Sequence, residues 1–171
     1  MTAILRALRL LAVVVWVGGL IFFAFVEAPT AFGVMGTNRQ FAQLIGGSLE
    51  TLNVAGTTSG FVFLLATIGL WFRTDPQGRR LLLVETVLII LMIAATQVVQ
   101  RSIVPRMERD RAAAGGDINA VAKDNPARAD FDRLHAVSEK IEGAALLFGM
   151  GVVLAMAGES VRREVDTTVT R

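Results

Sequence analysis

Four long apolar segments constrain the fold of this 171-residue chain more than any other feature. Residues 10–26, 51–72 and 143–157 carry no charged side chain, and residues 81–100 carry one, Glu85. Because about 20 helical residues cross the ~30 Å hydrocarbon core of a bilayer, the segments predict membrane-spanning helices. The predicted fold is therefore all-α, a four-helix transmembrane bundle.

The residues that flank these segments set the expected boundaries. Pro29 is expected to end the first helix, and Gly115 with Gly116 the third. Asn125 before Pro126 is a typical helix start, so the outer ends of helices 3 and 4 should extend beyond the bilayer. The expected organisation is a four-helix membrane domain at 1–158 with spans at about 4–27, 49–72, 80–101 and 136–157, an extramembrane helical connection at 103–130 and a flexible cytoplasmic tail at 159–171.

Arginines are distributed unevenly between the two sides of the predicted bundle. The connection between the first two spans holds a single cation, Arg39, whereas the ends that face the other side hold several. Because loops rich in Lys and Arg stay in the cytoplasm, we expect a multi-pass protein of the bacterial cytoplasmic (inner) membrane with both termini cytoplasmic. The arginines that carry this prediction are Arg6, Arg9, Arg73, Arg79, Arg80, Arg162 and Arg163.

The composition excludes several classes of site. There is no cysteine, which rules out disulfides and thiolate metal sites, and one histidine, which rules out a haem with two axial histidines from this chain. Phosphate-loop, dinucleotide and two-histidine zinc motifs are missing, which favours a non-enzymatic role. The net charge of +2 includes no basic patch, so the expected partner is the lipid bilayer and not a nucleic acid.

The fourth segment begins with ionisable side chains on one helical stripe. His135, Glu139 and Glu142 follow one another at i, i+4 and i+7, and Ser138 lies beside them. Each charged group would cost roughly 2–3 kcal/mol or more if it faced lipid. We therefore expect the stripe to face the bundle interior or a water-filled vestibule.

The other three segments also place polar side chains at their outer ends. In the second segment, Glu50, Asn53, Thr57 and Gly60 repeat at i, i+3, i+7 and i+10, which makes one stripe. We expect a polar cluster around His135 at the outer leaflet. The candidate ligand-binding residues are Glu27, Asn53, Gln97, Arg101, His135, Ser138, Glu139 and Glu142.

Three interpretations of this cluster remain open. The polar groups can stabilise helix–helix contacts, with Arg101 neutralising a carboxylate. They can instead hold a cation or a proton path, since imidazole with carboxylates suits a divalent metal ion such as Zn²⁺, Mn²⁺ or Fe²⁺. The third interpretation is a lipid or quinone pocket. The candidate metal ligands are His135, Glu139, Glu142 and Glu27.

Two further features predict helix–helix contacts. Gly56 and Gly60 form a small-xxx-small pair, which predicts close packing either within the chain or in a homo-oligomer through this face. Glu85 lies near the cytoplasmic end of its span, where Arg73, Arg79 and Arg80 are the expected ion-pair partners.

Two stretches resemble the transmembrane protein 205-like family. They are "WVGGLIFFAFVEAPTAF" at 16–32 and "FDRLHAVSEKIE" at 131–142. The resemblance implies a small integral membrane protein of about four spans with no established reaction, and bacterial members are classed as a domain of unknown function. It implies that Glu27, Pro29, His135 and Ser138 are the family's polar features, and that an amide is commoner where Glu142 stands.

The leading functional hypothesis is a non-enzymatic membrane protein that binds or passes a small cation or small molecule at the cluster around His135. One alternative is a structural or assembly subunit of a membrane complex. Another is a redox helper that binds a quinone or haem.

Overall fold

The computed structural model describes residues 2–36 and 38–169, with side chains described as far as Glu159. Within these residues the chain is helical and contains no strand. Four helices are long and apolar enough to cross a membrane, which confirms the four-helix transmembrane fold and makes this a multi-pass integral membrane protein. The helices are α1 (Thr2–Met35), α2 (Arg39–Trp71), α3 (Pro76–Ala113) and α4 (Pro126–Val169).

Asparagine caps and a pair of glycines define three of the helix ends. Asn38 accepts a hydrogen bond from the Phe41 backbone N–H at 2.8 Å, so α2 begins there. Gly115 and Gly116 have φ of 78° and 93° and follow the end of α3 as expected, because glycine adopts positive φ at little cost. Asn125 accepts from the Ala127 N–H at 3.0 Å and starts α4, also as expected.

We name the two ends of the bundle by their connections. The long-loop end carries residues 36, 38 and 114–125, including a short 3₁₀ helix at Ile118–Ala120. The short-loop end carries the turn at 72–75 that joins α2 to α3. The predicted flexible tail at 159–171 overlaps α4, whose backbone is helical to Val169, and residues 170 and 171 lie outside the described residues.

The prediction that Pro29 ends the first helix is wrong. A π-helical turn at Phe23–Glu27 precedes Pro29, and α1 continues to Met35. A second π turn at Val99–Ile103 precedes Pro105 in the same way. A proline lacks an N–H and its ring crowds the preceding turn, and a widened turn just before it lets the helix continue.

Packing divides the bundle into two antiparallel hairpins. α1 packs mainly against α2, α3 mainly against α4, and the seam between α2 and α3 is less closely packed. An apolar core lies between the hairpins and is formed by Ala12, Val13, Trp16, Val17, Leu20, Phe63, Ile89, Met92 and Val152. Since the turn at 72–75 joins α2 to α3, their seam is held together at the short-loop end.

The small-residue face of α2 is used inside one chain. Gly56 and Gly60 are buried, and a Cβ atom at either position would collide with the indole ring of Trp16. The face at Gly56 and Gly60 therefore packs against α1 and is not exposed to a second copy. Of the two predicted alternatives, the packing supports contact within the chain, and a homo-oligomer stays a prediction.

Candidate functional site

The histidine on α4 lies on an exposed surface. The side chains of His135 and Glu139 are 57% and 66% exposed, and Nε2 of His135 lies 3.3 Å from a Glu139 carboxylate oxygen. Leu134 packs in one cluster with Val99 and Ile103, so this part of α4 lies at the level of the second π turn of α3. The expectation that the stripe faces the bundle interior is therefore wrong for His135 and Glu139, because more than half of each side chain is exposed. That these side chains face a water-filled vestibule stays a prediction.

The four predicted metal ligands are not brought together. Across the residues described, no group of three or more His, Cys, Asp or Glu side chains could hold a metal ion. Glu27 lies half-buried in the first π turn, and His135 pairs with Glu139 on the surface. Of the four, Glu142 lines a cavity in the bundle interior.

A small cavity lies where all four helices meet, and we call it the junction cavity. Leu20 of α1, Asn53 of α2, Thr96 of α3 and Glu142 of α4 line it together with Ala95, Val99, Ile141 and Ala145. Asn53 and Thr96 are 5% and 6% exposed. Its volume of about 10 Å³ is comparable to one water molecule.

Glu142 is the ionisable residue of the junction cavity. Its Oε1 atom is buried and has no hydrogen-bond partner within the described residues. An unpaired buried carboxylate oxygen is costly and draws a donor, either water or a ligand with N–H or O–H groups. We call Asn53, Thr96 and Glu142 the open layer. Asn53 and Glu142 are thus the two predicted site residues that the structure places together in the interior.

A larger groove opens in the seam between α2 and α3, and we call it the groove. It has a volume of about 310 Å³ and is lined by Glu50, Asn53, Val54, Thr57, Thr58, Phe61, Gln97, Gln100 and Arg101. The Gln97 amide donates to the Thr57 hydroxyl at 3.3 Å and bridges the two helices. Asn53 lines both the groove and the junction cavity, so the two spaces adjoin.

The groove contains three predicted residues, Asn53, Gln97 and Arg101. Arg101 lies in the second π turn, and such turns are frequent at functional sites because they re-aim side chains. The predicted residue Ser138 is buried, and its hydroxyl donates to the His135 carbonyl within α4 at 2.8 Å. This hydrogen bond uses the hydroxyl proton within α4. Ser138 lines neither the groove nor the junction cavity.

Thr96 was not predicted as a site residue. It lies on the same stripe as Glu85, Ile89 and Met92, at i, i+4, i+7 and i+11, and the whole stripe is buried. Because a charged residue within a span is expected to face the bundle interior, the stripe that begins at Glu85 could have identified Thr96 from the sequence.

A second set of ionisable residues is buried near the short-loop end, and we call it the paired layer. Arg9 of α1 contacts a carboxylate oxygen of Glu85 on α3 and lies 3.5 Å from Glu159 on α4. Arg9 and Glu85 are 1% and 0% exposed, and the guanidinium lies 4.8 Å from the centre of the Phe63 ring. The expectation that Arg73, Arg79 or Arg80 pairs with Glu85 is wrong. Arg79 instead donates to two backbone carbonyls near the α2–α3 turn.

Comparison with known proteins identifies a family but no activity. The model of a family described as a domain of unknown function, DUF4149, matches residues 11–114, which include every residue that lines the groove. No curated protein and no solved structure matches the chain. The match does not carry the name of the transmembrane protein 205-like family, so that resemblance stays a prediction.

Proposed function

The chain belongs to the DUF4149 family, and we propose that this membrane protein binds a small polar or positively charged molecule in the groove. The observation that carries the proposal is the groove itself, about 310 Å³ of space between two hairpins at the level where their polar side chains gather. Ligand sites of this size combine apolar walls with a few convergent polar groups, and the groove has both.

The distribution of charge supports a preference for a positive group. Glu50 lines the groove, and the Glu142 carboxylate lies behind Asn53 in the junction cavity. Arg101 is the cation on the opposite wall and can engage an acidic part of the same ligand. Positive-inside counting places the long-loop end on the outer side of the membrane, so the ligand enters from outside.

Thiol labelling tests whether the groove admits water-borne molecules, since the chain has no cysteine of its own. In vesicles, Thr57→Cys should react with a membrane-impermeant, positively charged methanethiosulfonate reagent, because Thr57 lines the groove. Leu65→Cys is the matched control on the same helix, where the side chain is 70% exposed toward lipid.

Protection measures binding in the same experiment. Ethanolamine should slow the labelling of Thr57→Cys, whereas acetate should not, because the carboxylates favour an ammonium group. A thiol at position 57 as unreactive as that at position 65 would exclude the groove as a binding site and favour the structural-subunit alternative.

A further inference from the structure

The groove is amphipathic along the bundle axis. Glu50, Gln100 and Arg101 line its end nearest the long loops. Val54 and Phe61 line it toward the bundle centre, and these side chains are 64% and 55% exposed. The groove therefore presents charged groups at one end, and exposed apolar side chains with Thr57 and Thr58 between them toward the other.

The charged end lies at the membrane boundary. Residues 51–72 of α2 carry no charge and span about 33 Å of helix, close to the thickness of the hydrocarbon core. Glu50 directly precedes this segment, and Arg101 directly follows the apolar segment of α3. Both charges are consequently at the level of lipid headgroups, while Val54 and Phe61 are at the level of acyl chains.

Both charged side chains are available to a ligand. Glu50 and Arg101 are exposed and form no ion pair within the described part of the chain. Gln97 and Gln100 add amide donors and acceptors between them. A ligand that matches this end carries both an anionic and a cationic group.

We propose that the groove binds a zwitterionic phospholipid with a primary ammonium headgroup, as in phosphatidylethanolamine. This inference rests on the proposed function and names its ligand class. Arg101 binds the phosphate through charge-assisted N–H donors, and Glu50 accepts from the ammonium group. One acyl chain lies along Val54 and Phe61. An anionic headgroup would oppose Glu50, and a choline headgroup has no N–H to donate.

Native mass spectrometry of the full chain in lipid-free detergent tests this assignment. The protein is mixed with equal amounts of phosphatidylethanolamine, phosphatidylglycerol and phosphatidylcholine. We expect retention of the ethanolamine lipid to exceed that of the other two by about tenfold, and Glu50→Gln and Arg101→Gln each to remove this preference. Glu139→Gln and Arg133→Gln are controls that remove exposed charges on α4 outside the groove, and they should retain it.

Competition with a soluble headgroup distinguishes binding of a membrane lipid from binding of a free zwitterion. Glycerophosphoethanolamine has the same headgroup without acyl chains and should not displace the lipid at equal concentration. Equal retention of the three lipids, equal loss in the control variants or efficient displacement by the soluble headgroup would overturn the lipid assignment. If Thr57→Cys is nevertheless labelled and protected, the lipid fails as the ligand while the binding groove stands.

Discussion

The bundle buries ionisable side chains in two layers and surrounds them differently. In the paired layer, the Arg9 guanidinium lies between Glu85 and Glu159, so each carboxylate has a cation beside it. In the open layer, Glu142 shares a cavity with an amide and a hydroxyl and forms no ion pair in the described part of the chain. One carboxylate oxygen of Glu85 and one of Glu142 lack a hydrogen-bond partner there, so the ion pair is what distinguishes the two layers. The layers are separated by about 16 Å along α3, from Glu85 to Thr96.

In the proposed function, this difference separates a structural role for the paired layer from a binding role for the open layer. A cation that contacts carboxylates on two other helices joins the two hairpins. A carboxylate left without a cation beside a groove costs stability and offers a position where an external group can bind. In the proposed function, burial of charge alone therefore does not indicate a site, whereas burial of a carboxylate without a cation beside it does.

Removal of the shared cation should have the largest effect. Arg9→Ala leaves Glu85 and Glu159 buried without it, and we expect the free energy of unfolding to fall by about 3–5 kcal/mol. Denaturant titration in detergent micelles measures the change. Arg80→Ala removes an exposed arginine near the same end and should change stability by no more than about 0.5 kcal/mol. A small loss for Arg9→Ala would show that the paired layer does not join the hairpins.

A change in the packing between the two layers should have an intermediate effect on the free energy of unfolding. A methyl group at Gly56 would collide with the buried Trp16 indole, so Gly56→Ala should destabilise the bundle by about 1–3 kcal/mol. Gly46→Ala is the matched control in the same helix, because a Cβ there meets no atom within 4 Å and alanine favours helix. Thermal unfolding of both variants measures the difference. Equal melting temperatures would contradict the close contact between Gly56 and Trp16.

Loss of the exposed His135–Glu139 pair on α4 should have the smallest effect on stability. Glu139→Gln removes a surface contact with His135, and we expect a change within about 0.5 kcal/mol in the free energy of unfolding. The same titration measures it. A loss comparable to that of Arg9→Ala would mean that His135 and Glu139 belong to a buried layer after all.

Much of the architecture could be predicted from the sequence. The lengths of the uncharged segments determine the number of spans, because lipid tolerates few charges and requires about 20 helical residues. The glycine pair at 115–116 and the Asn125–Pro126 cap also gave the expected helix ends. These features are local, so one segment of the chain is sufficient to identify each.

The site could be predicted only in part. Asn53, Gln97 and Arg101 were identified because they lie on polar stripes near helix ends, and the structure brings them to the groove. The position of His135 was predicted wrongly because its exposure depends on how far α4 is shifted along the bundle axis relative to α3. One sequence does not give that shift. Arg9 was counted only among the arginines that set the expected topology, although it shares a helical stripe with the buried Trp16. Rotation and register of the helices are set by packing between them, and these are the quantities that local patterns leave undetermined.

The contrast between the layers is tested most directly by the same substitution in each. Glu85→Gln and Glu142→Gln both replace a carboxylate by an amide of nearly equal volume, and denaturant titration in one detergent gives both free energies of unfolding. Glu85→Gln should lose about 3 kcal/mol, because it removes the charge paired with Arg9. Glu142→Gln should leave stability unchanged or raise it, because it removes a charge that has no partner. Equal losses in the two variants would contradict the distinction between a paired layer and an open one.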